Sequence, residues 1–216
     1  MYEVFGIRKE IEELSNKVEN ELKKYYENVD KICKVNSIKV LDAFQKSNLQ
    51  ESHLSSSTGY GIDEPGRNKI EEIYAHIFKA EDSLVRTQLI SGTHALTVTL
   101  FALLRPNETL LSITGEPYDT LQTVIGIGKE ESKSSLKSYG IKYEQINLVN
   151  SEFDIQKITD RLSKNDVKVV EIQRSRGYST RKSLTIEKIE KIIKEIRKVN
   201  KEVIIMLDNC YGEFVQ

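Results

Sequence analysis

An aspartate closes the last apolar run of this sequence. Ile204-Ile205-Met206-Leu207 has the character of a strand, Asp208 ends it, and Asn209-Cys210-Tyr211-Gly212-Glu213-Phe214 continues as a glycine-containing loop. In open α/β sheets, ligands collect beyond the carboxyl ends of the strands. A carboxylate there can pair with a protonated ring nitrogen, or it can cap the turn that follows. Other segments hold comparable positions. Ser91-Gly92-Thr93-His94-Ala95 follows an apolar run and opens a helical pattern. A helix N-terminus offers free N–H groups and partial positive charge, which suit a phosphate, and Gly92 leaves room for close approach. The alternative is an ordinary capped helix start, with Ser91 or Thr93 as the cap; His94 reads as structural. Gly115-Glu116-Pro117-Tyr118-Asp119 sets Tyr118 at another helix start, where its ring can stack on a planar group or pack on its neighbours. Gln173-Arg174-Ser175-Arg176-Gly177-Tyr178-Ser179 supplies a pair of arginines, able to clamp a carboxylate or phosphate or to remain a solvated basic loop.

Together these segments put a phosphate cradle, a stacking aromatic, a pair of cations and a carboxylate on one edge of one sheet. That set suits pyridoxal 5′-phosphate better than a dinucleotide. No G-x-G-x-x-G follows the first strand and no phosphate-loop pattern ending in Gly-Lys-Ser/Thr occurs.

The elements that must place these residues follow from periodicity. Ile7, Ile11, Leu14, Val18, Leu22, Tyr25, Val29 and Ile32 recur at helical spacing, an apolar stripe that needs a core or a partner subunit to cover it. A second helix runs through Val40, Leu41 and Phe44. Residues 50–68, with Ser55-Ser56-Ser57-Thr58-Gly59-Tyr60-Gly61 and Pro65-Gly66-Arg67, read as a loop. Residues 1–58 therefore form an N-terminal helical arm and loop, and residues 59–216 the main domain. Helices are expected over 70–78, 93–104, 118–125, 155–162 and 186–199, and strands over 84–90, 109–114, 142–148, 167–172 and 202–207. A polar stretch covers 129–138. The alternation predicts an α/β fold, a mostly parallel sheet with helices on both faces.

Composition narrows the function classes. Charged residues make up 30% of the 216 residues but nearly cancel, leaving a formal net charge of −1. No electrostatic argument for nucleic acid or an acidic membrane surface arises from that balance. No apolar run approaches the roughly 20 residues of a membrane span. Cys33 and Cys210 lie far apart, and His53, His76 and His94 are equally scattered. That pattern fits a reducing cytoplasm and gives no metal-ligand spacing.

In combination, the Ser91–Ala95 string, Gly115-Glu116-Pro117-Tyr118-Asp119-Thr120-Leu121, Gln173-Arg174-Ser175-Arg176-Gly177-Tyr178 and Asp208-Asn209-Cys210-Tyr211-Gly212-Glu213-Phe214 resemble a known family. It is the methionine gamma-lyase-related aluminium resistance protein family, in the Cys/Met-metabolism branch of fold-type I pyridoxal-phosphate enzymes. Gly59-Tyr60-Gly61 and Gly66-Arg67 match it too, and the resemblance covers about residues 35–216. It implies a partial fold-type I large domain and a carbon–sulfur lyase acting on a sulfur-containing amino acid. By the same resemblance, the backbone of Gly92 and Thr93 holds the cofactor phosphate, Tyr118 stacks on the pyridine ring, and Asp208 pairs with its nitrogen. Tyr60, and less directly Arg67, reach the phosphate of a neighbouring subunit in a homodimer or homotetramer. Arg174 or Arg176 approaches the substrate carboxylate or the cofactor.

The resemblance also marks an absence. The family's Schiff-base lysine lies beyond the Asp208 segment, and no lysine follows Lys201 here. The expectation is an N-terminal fragment, inactive alone, lacking the C-terminal part of the large domain and the small domain. In this fold the first strand sits apart from the second to fifth, with later strands between. Two alternatives stay open: an inactive fragment or interaction module that uses the N-terminal stripe to dimerise, and a nucleotide-binding α/β domain.

Overall fold

The computed structural model describes residues 2–62, 64–129 and 132–215. Within the polar stretch 129–138, residues 130 and 131 lie outside the described residues, as does residue 216. The chain forms two compact units, residues 1–86 with 214–216, and residues 87–213.

The first unit is helical. Helix α1, Lys9–Lys46, runs for 38 residues, so the two helices expected before residue 46 are one. The stretch between them contains neither glycine nor proline, and the Asn36 amide donates to the Ile32 carbonyl at 3.1 Å without breaking the ladder. Helix α2, Pro65–Phe78, starts on Pro65, whose missing N–H costs nothing in a first turn. Ile73 and Ile77 of α2 bury against Ala43 of α1, with Val40 and Leu49 alongside. That packing carries the unit past the composition boundary at 58/59 to Arg86. Further toward the N-terminus Ile11, Leu14, Val18 and Val29 stay exposed; within the described residues nothing covers that part of the stripe. The loop between the helices is organised around an anion. Glu64, 6% exposed, accepts hydrogen bonds from the hydroxyls of Ser57 and Thr58. These contacts, Ser57 first, hold its carboxyl below the usual range.

The second unit is an α/β layer. Strands β1 (Thr109–Ser112), β2 (Lys142–Gln145), β3 (Val167–Gln173) and β4 (Ile204–Asp208) form a parallel sheet in the order β2-β1-β3-β4. Helices α3 (Gly92–Leu103) and α4 (Asp119–Ile125) cover one face, burying Leu100, Leu121 and Ile125 with Leu110, Val169 and Met206. Helices α5 (Ile155–Leu162) and α6 (Ile186–Val199) cover the other, burying Ile158, Leu162, Ile192 and Ile196 with Leu111, Val170 and Ile172. Side chains of a strand alternate between faces, yet Val167 shares the α5/α6 core with Val170. A register shift between Thr109 and Leu110, opposite Val167 and Val169, takes up the extra residue.

Residues 84–90 correct the expected strand count. They pair with no strand among the described residues, and the sheet has four strands rather than five. Leu84 and Ile90 are 63% and 82% exposed. Apolar composition marks a segment as fit for burial; a strand also needs a neighbour to take its backbone hydrogen bonds. The four later strands form a contiguous sheet without it. Among the described residues no helix is long and apolar enough to cross a membrane, and no His, Cys, Asp and Glu side chains cluster as metal ligands.

Candidate functional site

The carboxyl ends of the strands and the start of α3 frame an open cleft of about 870 Å³ in the second unit. Its walls include Gly92, Thr93, Tyr118, Gly177, Tyr178 and Asp208. Ser91 caps α3, its Oγ accepting from the His94 N–H at 3.1 Å. The N–H groups of Gly92 and Thr93 have no helical acceptor, being in the first turn. A Cβ built on Gly92 would meet nothing within 4 Å. The protein's own packing therefore does not demand glycine there; closeness to a bound group would.

Tyr118 stands just before α4. Its hydroxyl lies 3.1 Å from Thr93 Oγ1, which is also 3.0 Å from Thr120 Oγ1. Asp208 ends β4 at 6% exposure, and one of its oxygens accepts from the Cys210 N–H at 3.1 Å. Burial raises its pKa, the Cys210 hydrogen bond opposes that, and the charge of Glu213 adds to it. The cleft thus brings Gly92, Thr93, Tyr118 and Asp208 together.

The arginines part company. Arg174 is 6% exposed. Its Nε donates to the Leu184 carbonyl at 3.2 Å, and its Nη1 donates to Asn209 Oδ1 at 2.8 Å and to the Gly212 carbonyl at 2.6 Å. Any side chain at Gly212 would collide with the Arg174 guanidinium. Arg174 therefore fastens the loop after β4 to the loop after β3. Arg176 is exposed on the neighbouring turn. Tyr60 and Arg67 belong to the first unit and line no part of this cleft. Tyr60 is 88% exposed on the loop built around Glu64.

Behind the cleft lie residues to which the sequence assigned no role. Gln173 pairs in register with Asp208 across β3 and β4. Glu171, two positions earlier on the same face, is fully buried. Its Oε2 is 2.7 Å from Ser112 Oγ, and its Oε1 has no hydrogen-bond partner among the described residues. Ser112 Oγ also lies 2.7 Å from the Gly115 carbonyl. A serine hydroxyl carries one proton, so Ser112 gives it either to the Glu171 carboxylate or to the Gly115 carbonyl, and protonation of Glu171 frees it for the carbonyl. Burial pushes the Glu171 pKa up to about 7, with the Ser112 contact opposing and the Asp208 charge adding. Tyr143 on β2 is pushed up as well, first by burial and then by Glu171 and Glu116. The signal for Glu171 in the sequence is its charge inside the apolar run Val167–Gln173.

A parallel sheet covered on both faces, with a cleft at its carboxyl edge lined by a helix N-terminus, an aromatic and an acid, is the architecture of a partial fold-type I large domain. The chain belongs to the methionine gamma-lyase family, whose model matches residues 11–216. A carbon-sulfur lyase involved in aluminum resistance from Clostridium novyi NT superposes with a TM-score of 0.92 at 38% identity, covering 99% of this chain and 51% of that one. A crystal structure of a protein involved in aluminum resistance from Clostridium acetobutylicum gives a TM-score of 0.94 at 42% identity, covering 100% of this chain and 51% of that one. The uncharacterized protein YnbB of Bacillus subtilis (strain 168) is 40% identical over 200 residues, 92% of this chain and 47% of that protein. The chain spans about half the length of these relatives.

Proposed function

We propose that these residues belong to a pyridoxal 5′-phosphate-dependent carbon–sulfur lyase that releases a thiol from a sulfur-containing amino acid. One observation carries the reading: Gly92, Thr93, Tyr118 and Asp208 line the same cleft. The cofactor fits them, since the open space over Gly92 admits a phosphate against the first-turn N–H groups. When bound, pyridoxal phosphate supplies an electron sink for the substrate's Cα. Tyr118 supports the ring from one side. Asp208 would hold a proton on the ring nitrogen, and a cation there would draw down the carboxyl pKa that burial has raised. The Tyr118 and Thr93 hydroxyls, 3.1 Å apart, would hold or pass a proton within the cleft.

Tyr60 and Arg67 would serve a neighbouring subunit of a cytoplasmic homodimer or homotetramer; the exposure of Tyr60 on an organised loop supports this. The reading includes no nucleic-acid or membrane partner. With Arg174 engaged in the loop fastening, Arg176 is the freer candidate for a substrate carboxylate. The lysine the chemistry needs is assigned to no residue of 1–216, so these residues alone should not turn over. A second reading, an interaction module, draws on the exposed stripe of α1. Titration of the chain with pyridoxal phosphate, NAD and ATP tests the proposal: saturation by the first alone supports it, and saturation by NAD or ATP instead would favour a nucleotide-binding domain. A longer protein that binds pyridoxal phosphate but turns over no sulfur amino acid would favour the module.

A further inference from the structure

Gln173 sits where the loop carrying Tyr118 meets the strand carrying Asp208. Its side-chain Oε1 accepts from the Tyr118 N–H at 2.9 Å, and its Nε2 donates to the Ser175 carbonyl at 3.2 Å. Its backbone is fixed too. The Gln173 N–H donates to Thr114 Oγ1 at 3.0 Å, and its carbonyl accepts from Arg181 Nη2 at 3.0 Å. Gln173 is 5% exposed and does not line the cleft. Gly177 packs over it: a Cβ there would lie 3.5 Å from Gln173 Nε2 and 3.9 Å from Tyr118 Cβ.

We propose that Gln173 is a positioning residue, whose amide locks Tyr118 at a set spacing from Asp208 and so fixes the gap into which a planar ring slides. The proposal rests on the reading of the cleft as a pyridoxal-phosphate site. The chemistry asks for glutamine specifically. Tyr118 precedes α4, so its N–H finds no acceptor inside that helix, while the Ser175 carbonyl, already held by Arg181 Nη2, has a second lone pair for a donor. An amide offers one of each in one plane. A glutamate carboxylate offers only acceptors and sets a charge against the Ser175 carbonyl; protonated, it again offers one of each. Leucine leaves the Tyr118 N–H without its acceptor and the Ser175 carbonyl with Arg181 Nη2 alone.

The test uses the full chain as wild type, Gln173→Leu and Gln173→Glu. It reads hydrogen exchange at the Tyr118 amide and the Kd for pyridoxamine 5′-phosphate, a probe with the ring and phosphate that needs no lysine. Gln173→Leu should speed Tyr118 exchange and raise the Kd, each by roughly tenfold, the loss of one to two buried hydrogen bonds. In Gln173→Glu the carboxylate still accepts from the Tyr118 N–H, so Tyr118 exchange should stay slow. Its charge against the Ser175 carbonyl should raise the Kd at about pH 8, with recovery toward wild type at about pH 5 as the new carboxyl, its pKa raised by burial, protonates. A residue that merely fills space gives no such recovery. Unchanged Tyr118 exchange in Gln173→Leu overturns the proposal, and so does a Gln173→Glu deficit equal at both pH values. Should Gln173→Leu fail to fold, the pH comparison on Gln173→Glu decides alone. If the wild type does not bind the probe while Tyr118 exchange follows the expected pattern, the positioning role stands and the cofactor reading falls.

Discussion

The hydroxyl of Tyr118 lies 3.1 Å from Oγ1 of Thr93, so the ring-bearing loop and the first turn of α3 are joined across the cleft by one hydrogen bond. The same threonine oxygen is 3.0 Å from Thr120 Oγ1. With one proton and two lone pairs, the Thr93 hydroxyl can keep one of these contacts and turn its proton toward an arriving phosphate. A hydrogen bond to a charged acceptor contributes about 1.5–3 kcal/mol. Thr93→Ala should therefore weaken pyridoxamine 5′-phosphate binding by roughly tenfold or more, and Thr93→Ser should keep most of it. Calorimetric titration of the three proteins checks this; equal affinities would place the phosphate elsewhere.

Arg174 and Arg176 should separate by stability. Arg174→Met leaves the Leu184 and Gly212 carbonyls and Asn209 Oδ1 without the donors they now have. The expected loss is about 3 kcal/mol in urea unfolding. Arg176 is exposed, and Arg176→Ala should stay within about 0.5 kcal/mol of wild type. A mild Arg174→Met would show that the loops after β3 and β4 hold together without the guanidinium.

Glu171 predicts a pH dependence with a definite sign. Burial holds its folded pKa at about 7, above the ordinary carboxyl value of 4.5. A raised carboxyl pKa contributes stability that is fully present below the unfolded pKa and is lost as pH rises through the folded one. Between about pH 4.5 and 8 the wild type should lose up to about 3 kcal/mol from this group. Glu171→Gln stays neutral throughout and should lack that slope. Unfolding curves of both proteins across the range give the difference; parallel profiles would mean that the buried carboxyl titrates normally.

The fold was legible where periodicity and element ends are strong. Helix α5 spans Ile155–Leu162 and α6 spans Ile186–Val199, as their apolar spacing predicts. Residues 84–90 were misread because apolar character does not report whether a neighbouring strand exists. The break before Val40 was misread because the stripe drifts around a long helix while the backbone continues. Within the cleft, Gly92, Thr93, Tyr118 and Asp208 stand out because each sits at the end of an apolar run or the start of a helix. Gln173 and Glu171 do not, because their partners are set by cross-strand register, which local sequence does not encode. The contrast between Arg174 and Arg176 was equally hidden: it depends on what the chain brings back at Leu184, Asn209 and Gly212.

The central claim is that one cleft takes a phosphorylated pyridine ring with Asp208 beneath its nitrogen. Calorimetric titration of the chain with pyridoxamine 5′-phosphate, wild type against Asp208→Asn, tests it most directly. The account predicts one saturable site in the wild type, and in Asp208→Asn an affinity lower by roughly tenfold or more, the loss of a charge-assisted hydrogen bond. No saturable binding by the wild type, or equal binding by both proteins, would contradict it.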